Sequence, residues 1–361
     1  MLRYAAVGVT SVLLVGALVV SLVTARTTGE AAEISTVQPP RTTTPQAPAI
    51  FIASSHEDLS GSWLVPLGDD YALFTSTAFG NVEDNVPVMV GRPGHWSDPA
   101  DALPSLPAWA VPVQQGGDTW EPEVVRIGSR QVMYFSATVR GTDPAIHCLG
   151  TAVSNTVLGP YTPSPQPIVC QRAQAGDIDA QVVFDGGTGA TDGTADLVWK
   201  SDNNALHGHG TPLIWSQPLS ADGLSVVGSP RVIYRTADAP AWAQPLVEAP
   251  QMVMSPFGGW WLFYSGGDGY LYPTYAIGVA RCASVSGPCT AVGSQPFVKT
   301  NLQGAGPGEE TFYRSVGSDW LLYSPWHSAT PFKVFRPVAA ARIGWTPAGP
   351  YLAQAGNFPP P

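Results

Sequence analysis

The sequence predicts an all-β fold, a five-bladed β-propeller, preceded by an N-terminal signal or membrane-anchor segment. Three observations carry the prediction. First, five apolar stretches ending in an aromatic recur along the chain: Tyr71-Ala-Leu-Phe74, Val132-Met-Tyr-Phe135, Asp196-Leu-Val-Trp199, Trp261-Leu-Phe-Tyr264 and Trp320-Leu-Leu-Tyr323. Their last aromatics stand 61, 64, 65 and 59 residues apart, a period that marks one supersecondary unit built several times. Second, three stretches follow a carboxylate-bearing segment: Trp120-Glu-Pro-Glu-Val-Val125, Ile178-Asp-Ala-Gln-Val-Val183 and Val247-Glu-Ala-Pro-Gln-Met-Val253. Third, charged residues make up only 12% of the chain, beside 38 Gly, 36 Pro and 12 Trp. That is a turn-rich β composition, and the long amphipathic stretches of a helical bundle are missing.

Along the chain, Arg3 precedes a nearly uncharged apolar run from Tyr4 to Thr24. Its length fits a bilayer-spanning anchor, and Val23-Thr-Ala25 fits a signal-peptidase site. Residues 1–26 are therefore read as signal peptide or anchor, and the Thr/Pro/Ala-rich residues 27–49 as an extended linker. Residues 50–361 form the propeller. On either reading the protein is extracellular or held at the cell envelope. Within each repeat a strand, a tight turn and the aromatic strand follow one another. The turns are Gly68-Asp-Asp70, Gly128-Ser129, Asp185-Gly-Gly187, Phe257-Gly-Gly259 and Gly317-Ser-Asp319, all hairpin signals. Thr151-Ala-Val-Ser154 and Ala276-Ile-Gly-Val-Ala280 supply later strands, so that four strands per unit and five units complete the ring.

The four cysteines contain no C-x-x-C knuckle, and an even count in an exported chain reads as disulfides. Cys148 with Cys170 and Cys282 with Cys289 are the favoured pairs, with two other pairings open. A net charge of −10 disfavours nucleic acid, whose phosphates need basic patches. It is compatible with a neutral polysaccharide or oligosaccharide, and the chain is expected to be a monomer.

Four segments, in order and at blade spacing, resemble glycoside hydrolase family 43 over residues 50–355. They are Trp120-Glu-Pro-Glu-Val124, then Ile178-Asp-Ala-Gln-Val182 with Asp185-Gly186 and Leu197-Val-Trp199, then Val247-Glu-Ala-Pro250, and Gly306-Pro-Gly-Glu309. The resemblance implies an exported glycosidase acting on pentose-containing polysaccharide, of arabinanase, arabinofuranosidase or xylosidase type, by inverting hydrolysis with three carboxylates. Carried over residue by residue, Glu248 is the general acid and Asp179 the group that tunes and orients it. Read alone, either could be a strand-start or turn carboxylate. The family's first blade supplies the base from an Asp-Pro pair, which this chain lacks. Aligned on strand hydrophobes Ser60 falls there, and aligned on the turn Gly61 does. Neither side chain can take a proton from water, so nearby Asp58 is the candidate base.

Trp120, Glu121 and Gln181 are the candidate substrate-binding residues, since a Trp face packs on the C–H surface of a sugar. Glu309 stands where the family often has a histidine near a central cation. Glu309 and His327 are the candidate ligands of a structural calcium ion, although Glu309 could equally pair with an arginine. The hydrolysis itself requires no cofactor. Asn203, Asn204, His207 and His209 read as a surface loop. A competing function is a catalytically degenerate propeller that keeps the glycan pocket and binds envelope or extracellular carbohydrate. A protein-interaction propeller ranks last, because docking loops and charged runs are absent. A bell-shaped pH–rate profile would separate enzyme from binder.

Overall fold

The structure, a computed structural model, describes residues 49–54, 58–77, 83–184, 186, 194–206, 210–301, 304–326 and 336–361. The N-terminal apolar run and linker, His56, Glu57, His207, His209 and His327 lie outside the described residues. Among the described residues no helix is long and apolar enough to cross a membrane.

Five antiparallel sheets follow one another in chain order. Blade I comprises Trp63–Leu67, Asp70–Phe74, Pro87–Arg92 and His95–Trp96, with Ala100–Asp101 also on its third strand. Blade II comprises Thr119–Ile127, Arg130–Thr138, His147–Ser154 and Thr162–Pro163. Blade III comprises Asp177–Phe184, Ala195–Ser201, Leu213–Pro218 and Arg231–Arg235. Blade IV comprises Val247–Met254, Trp260–Gly266, Ala276–Cys282 and Cys289–Ala291. Blade V comprises Thr311–Ser315, Ser318–Tyr323 and Val338–Thr346. Its fourth place is shared by Ile50–Ala53 from the start of the fold and Gly349–Leu352 from its end. The first and last strands of the propeller thus meet in one sheet, which closes the ring and leaves only short edges.

The five aromatic-ended stretches are the second strands of the five blades. Their final residues Phe74, Phe135, Trp199, Tyr264 and Tyr323 are buried. Five apolar clusters fill the spaces between consecutive blades. Phe74 with Phe135 lies between I and II, Tyr134 with Trp199 between II and III, and Val198 with Tyr264 between III and IV. Phe263 with Phe312 lies between IV and V, and Tyr71 with Trp320 between V and I. Burial of apolar surface between blades, at about 25 cal/mol per Å², is what makes each sheet depend on its neighbours. Cys148 pairs with Cys170, and Cys282 with Cys289, the favoured pairs of the four cysteines.

The innermost strands converge on the axis and carry a shared irregularity. Register slips between Trp120 and Glu123, between Ile178 and Gln181, and between Glu248 and Gln251. These are β-bulges, which turn a side chain out of the alternation of a strand. One residue at this point in every blade is left-handed: Gly61, Glu121, Asp179, Ala249 and Glu309, with φ of 58°, 49°, 59°, 48° and 53°. Such φ values are uncommon for side-chain-bearing residues. Their fivefold recurrence gives the structural register between blades, and it identifies Gly61 as the first-blade counterpart of Glu121 and Asp179.

Two tiers of contacts hold the bulges. Below, Glu123 Oε1 accepts from Val182 N–H at 2.9 Å, Gln181 Oε1 from Met252 N–H at 2.6 Å, and Gln251 Oε1 from Phe312 N–H at 3.1 Å. Thr311 Oγ1 donates to the Ser62 carbonyl at 2.6 Å, and Trp63 Nε1 to the Val124 carbonyl at 2.9 Å. Each blade thereby ties to the next, because a backbone N–H opened by a bulge must find another acceptor. Above, the N–H of Glu121 donates to Ser76 Oγ at 2.9 Å, that of Asp179 to Ser136 Oγ at 3.2 Å and that of Glu309 to Ser265 Oγ at 2.9 Å.

Candidate active site

In the upper tier one blade breaks the pattern. The residue paired across from the start of the bulge is Ser136 in blade II and Ser265 in blade IV, but Lys200 in blade III. Ser76 and Ser324 hold the equivalent places, their N–H groups bonding to the carbonyls of Ser60 and Gly308. With no hydroxyl available, Ala249 N–H donates instead to Asp179 Oδ2 at 2.9 Å. The Lys200 ammonium, itself buried, reaches Glu248 Oε2 at 3.0 Å and Asp202 Oδ1 at 3.1 Å. The Tyr275 hydroxyl donates to Glu248 Oε1 at 2.7 Å. Glu248 is therefore held on both oxygens, and the peptide that follows it is fixed by Asp179.

These groups open into a cavity of about 870 Å³ at the mouth of the ring. Trp120, Glu121, Asp179, Lys200, Glu248, Glu309 and Arg336 all line it, with Tyr270, Tyr272 and Leu246 along the rim side. Trp120 packs against His147 with ring centres 4.0 Å apart, and His147 Nδ1 lies 3.6 Å from Asp202. The wall thus runs from an aromatic face to the Lys200 charge cluster. Burial pushes Asp179 up to about 7, with Lys200 pulling it down and Glu248 pushing it further up. Desolvation penalises a carboxylate, and a neighbouring carboxylate adds repulsion. Glu121 is raised well above the ordinary carboxylate range by burial and by Asp179 and Glu309, against the pull of Arg336.

The expected site residues are thus sorted by the fold. Glu248, Asp179, Trp120, Glu121 and Glu309 meet in one cavity. Asp58 does not line it: both its oxygens take Arg336 Nε, at 3.1 and 3.0 Å, and Oδ1 also accepts from Ser60 N–H at 2.9 Å. Its carboxylate is 1% exposed, committed to a buried ion pair with Arg336. Gln181 does not line the cavity either. Both its amide atoms are engaged by the backbone of Met252, in the strut place that Glu123 and Gln251 hold in neighbouring blades.

Glu309 Oε1 meets Arg336 at 2.9 Å, so a guanidinium supplies its counter-charge. Among the described residues no group of three or more His, Cys, Asp or Glu is placed to hold a metal ion, and His327 lies outside the described residues. Asn203 is buried against Ser201 and Gln174, whereas Asn204 lines the cavity. Sequence reasoning missed Lys200 and Arg336. The signal for Lys200 was a charged residue inside an otherwise apolar aromatic strand, directly after Trp199.

With this geometry in view, the sequence profile of glycosyl hydrolases family 43 matches residues 53–351. The chain belongs to glycosyl hydrolase family 43. It is an enzyme of the glycoside hydrolase class, acting on O-glycosyl bonds. Similar solved structures include a thermostable family-43 glycoside hydrolase, at 21% identity and TM-score 0.69, covering 84% of this chain and 95% of that one. An α-L-arabinofuranosidase from Lactobacillus brevis matches at 15% identity and TM-score 0.66, covering 83% and 96%. An endo-1,4-β-xylanase from Bacteroides thetaiotaomicron VPI-5482 matches at 17% and 0.64, covering 86% and 97%. At these identities the likeness speaks for the fold of the family-43 enzyme. No curated protein sequence matches it.

Proposed function

We propose that this glycoside hydrolase cleaves pentose-containing polysaccharide of arabinan or arabinoxylan type, outside the cell or at its envelope, by single-displacement inverting hydrolysis. The observation that carries the reading is the wiring of Glu248. It lines the cavity beside an aromatic wall, and Asp179, Lys200 and Tyr275 fix it in place. Glu248 gives its proton to the departing sugar oxygen. The carboxylate left behind is received by the Lys200 ammonium and the Tyr275 hydroxyl, groups already oriented before the charge develops, the arrangement that stabilises a transition state most. Asp179 holds the peptide after Glu248 and adds negative charge beside it.

Pentosides are favoured because similar folds carry arabinofuranosidase and xylanase names. Export is favoured by the apolar N-terminal run and by two disulfides, which persist in oxidising compartments. The test is sugar release from a panel of arabinans, arabinoxylan and aryl pentosides by the wild type and Glu248→Ala. The wild type should release pentose. The variant should lose about 10²–10⁴-fold on substrates with poor leaving groups, and far less on aryl pentosides whose leaving group needs no proton. Equal loss on both substrate types would remove Glu248 from the acid's role.

A further inference from the structure

We propose that Glu121 is the general base of this enzyme, its carboxylate standing in the space that a first-blade side chain on Gly61 would fill. The inference rests on the hydrolase reading above and completes it. The left-handed register makes Gly61 the counterpart of Glu121, Asp179, Ala249 and Glu309. Four of these five places carry a side chain at the same φ, so the backbone conformation alone does not demand glycine in blade I. Contact does. A Cβ built on Gly61 would meet Ser76 Oγ and Glu121 Oε1 head-on and would come within 2.7 Å of Glu121 Cδ. The Glu121 side chain leans from blade II into the blade I position, and Ser76 of blade I holds its backbone N–H.

Its bonding sets it apart from its neighbours. Glu248, Asp179, Glu309 and Asp202 each have at least one carboxylate oxygen held by a hydrogen bond or ion pair. Among the described residues, Glu121 has no hydrogen bond or ion pair on its carboxylate, although it lines the same cavity. A carboxylate free of partners and open to the cavity is what a water molecule needs as proton acceptor. Burial and the charges of Asp179, Glu309 and Glu248 push its pKa well up, and Arg336, which lines the same cavity, pulls it down.

The step balances without any further reagent. Water attacks the anomeric carbon, and the new C–O bond forms as the glycosidic C–O bond breaks. Glu121 takes the proton lost by water, and Glu248 gives its proton to the leaving oxygen. The two carboxyl groups then exchange protons with solvent. Inverting hydrolysis requires the pair to stand far enough apart to admit that water, roughly 6.5–9.5 Å.

The test compares wild type, Glu121→Ala, Glu121→Gln and the exchange variant Gly61→Asp/Glu121→Ala on aryl pentosides of good and poor leaving-group ability. Both single variants should lose about 10²–10⁴-fold in kcat, alike on both substrate types, because base loss does not depend on the leaving group. Azide should restore turnover to Glu121→Ala and yield a glycosyl azide. The exchange variant should regain at least about tenfold over Glu121→Ala, since aspartate tolerates the left-handed backbone. Glu121→Gln keeps the shape of the side chain, and unchanged glycan binding and melting temperature in it exclude misfolding as the cause. Glu121 variants within threefold of the wild type overturn the proposal, as does a loss confined to poor leaving groups, which is the signature of an acid. A wild type that cleaves none of these substrates overturns the pentosidase reading itself. An active wild type with unaffected Glu121 variants overturns only the base.

Discussion

The junction between blades III and IV and the junction between blades I and II are built on one template and have diverged in opposite directions. At the III–IV junction a serine of the upper tier is replaced by Lys200, and Asp179 takes over its duty of binding the next blade's N–H. Charge has been added there, and Lys200 pairs with both Glu248 and Asp202. At the I–II junction the serine survives as Ser76, but the first blade carries no side chain at Gly61, and the Glu121 carboxylate stands over the gap with no hydrogen bond or ion pair among the described residues. The lower tier, where Glu123, Gln181 and Gln251 tie blade to blade, stays nearly regular. The ring therefore separates labour by height: struts below keep the blades in register, and the tier above is free to exchange hydroxyls for charge.

Two substitutions sharpen that comparison. The larger effect is expected from Lys200→Ser, which gives blade III the residue of the other four. It removes the cation from the buried carboxylates of Glu248 and Asp202. Breaking a buried pair on one side costs about 3–5 kcal/mol, part of which the restored serine–N–H bond should offset. Turnover should fall by about 10²-fold or more, because Glu248 loses a preorganised partner worth about 3 kcal/mol in such sites. A thermal melt and kcat read both. Activity close to wild type would mean that Lys200 serves only the fold. A smaller effect is expected from Gly61→Ala. Its methyl group enters the space of the Glu121 carboxylate, so kcat should drop about tenfold while stability changes by about 1–3 kcal/mol, the usual cost of overpacking. Unchanged kcat would show that the position of Glu121 is immaterial.

Much of this was legible in the sequence. The aromatic strands Tyr71–Phe74 to Trp320–Tyr323 announced the blades because a strand buried on both faces must be apolar and end in a large side chain. The segments around Glu248 and Asp179 announced the acid side, because a bulge followed by Ala-Pro or Ala-Gln leaves a readable interruption in an apolar strand. The base side was not legible. Proximity in sequence favoured Asp58, yet Asp58 is committed to Arg336, 278 residues away, a distance no local pattern can bridge. Gln181 looked like a pocket residue because it stands two residues after Asp179, but the bulge between Ile178 and Gln181 breaks the alternation of the strand, and Gln181 falls in the strut tier. Glu121 was visible as a pocket border. Its substitution for a missing side chain on another blade depends on the space above Gly61, and only the folded ring defines that.

The most direct test of a single-displacement hydrolase with carboxylates on opposite sides of the scissile bond is the stereochemistry of its product. Proton NMR of an aryl pentoside during the first minutes of wild-type turnover, before mutarotation, records which anomer is released. Inversion, with an α-arabinofuranoside giving β-arabinofuranose first, is the predicted result. Release of the retained anomer would require a nucleophile and a covalent glycosyl-enzyme, and would contradict both the acid–base division and the role given to Glu121.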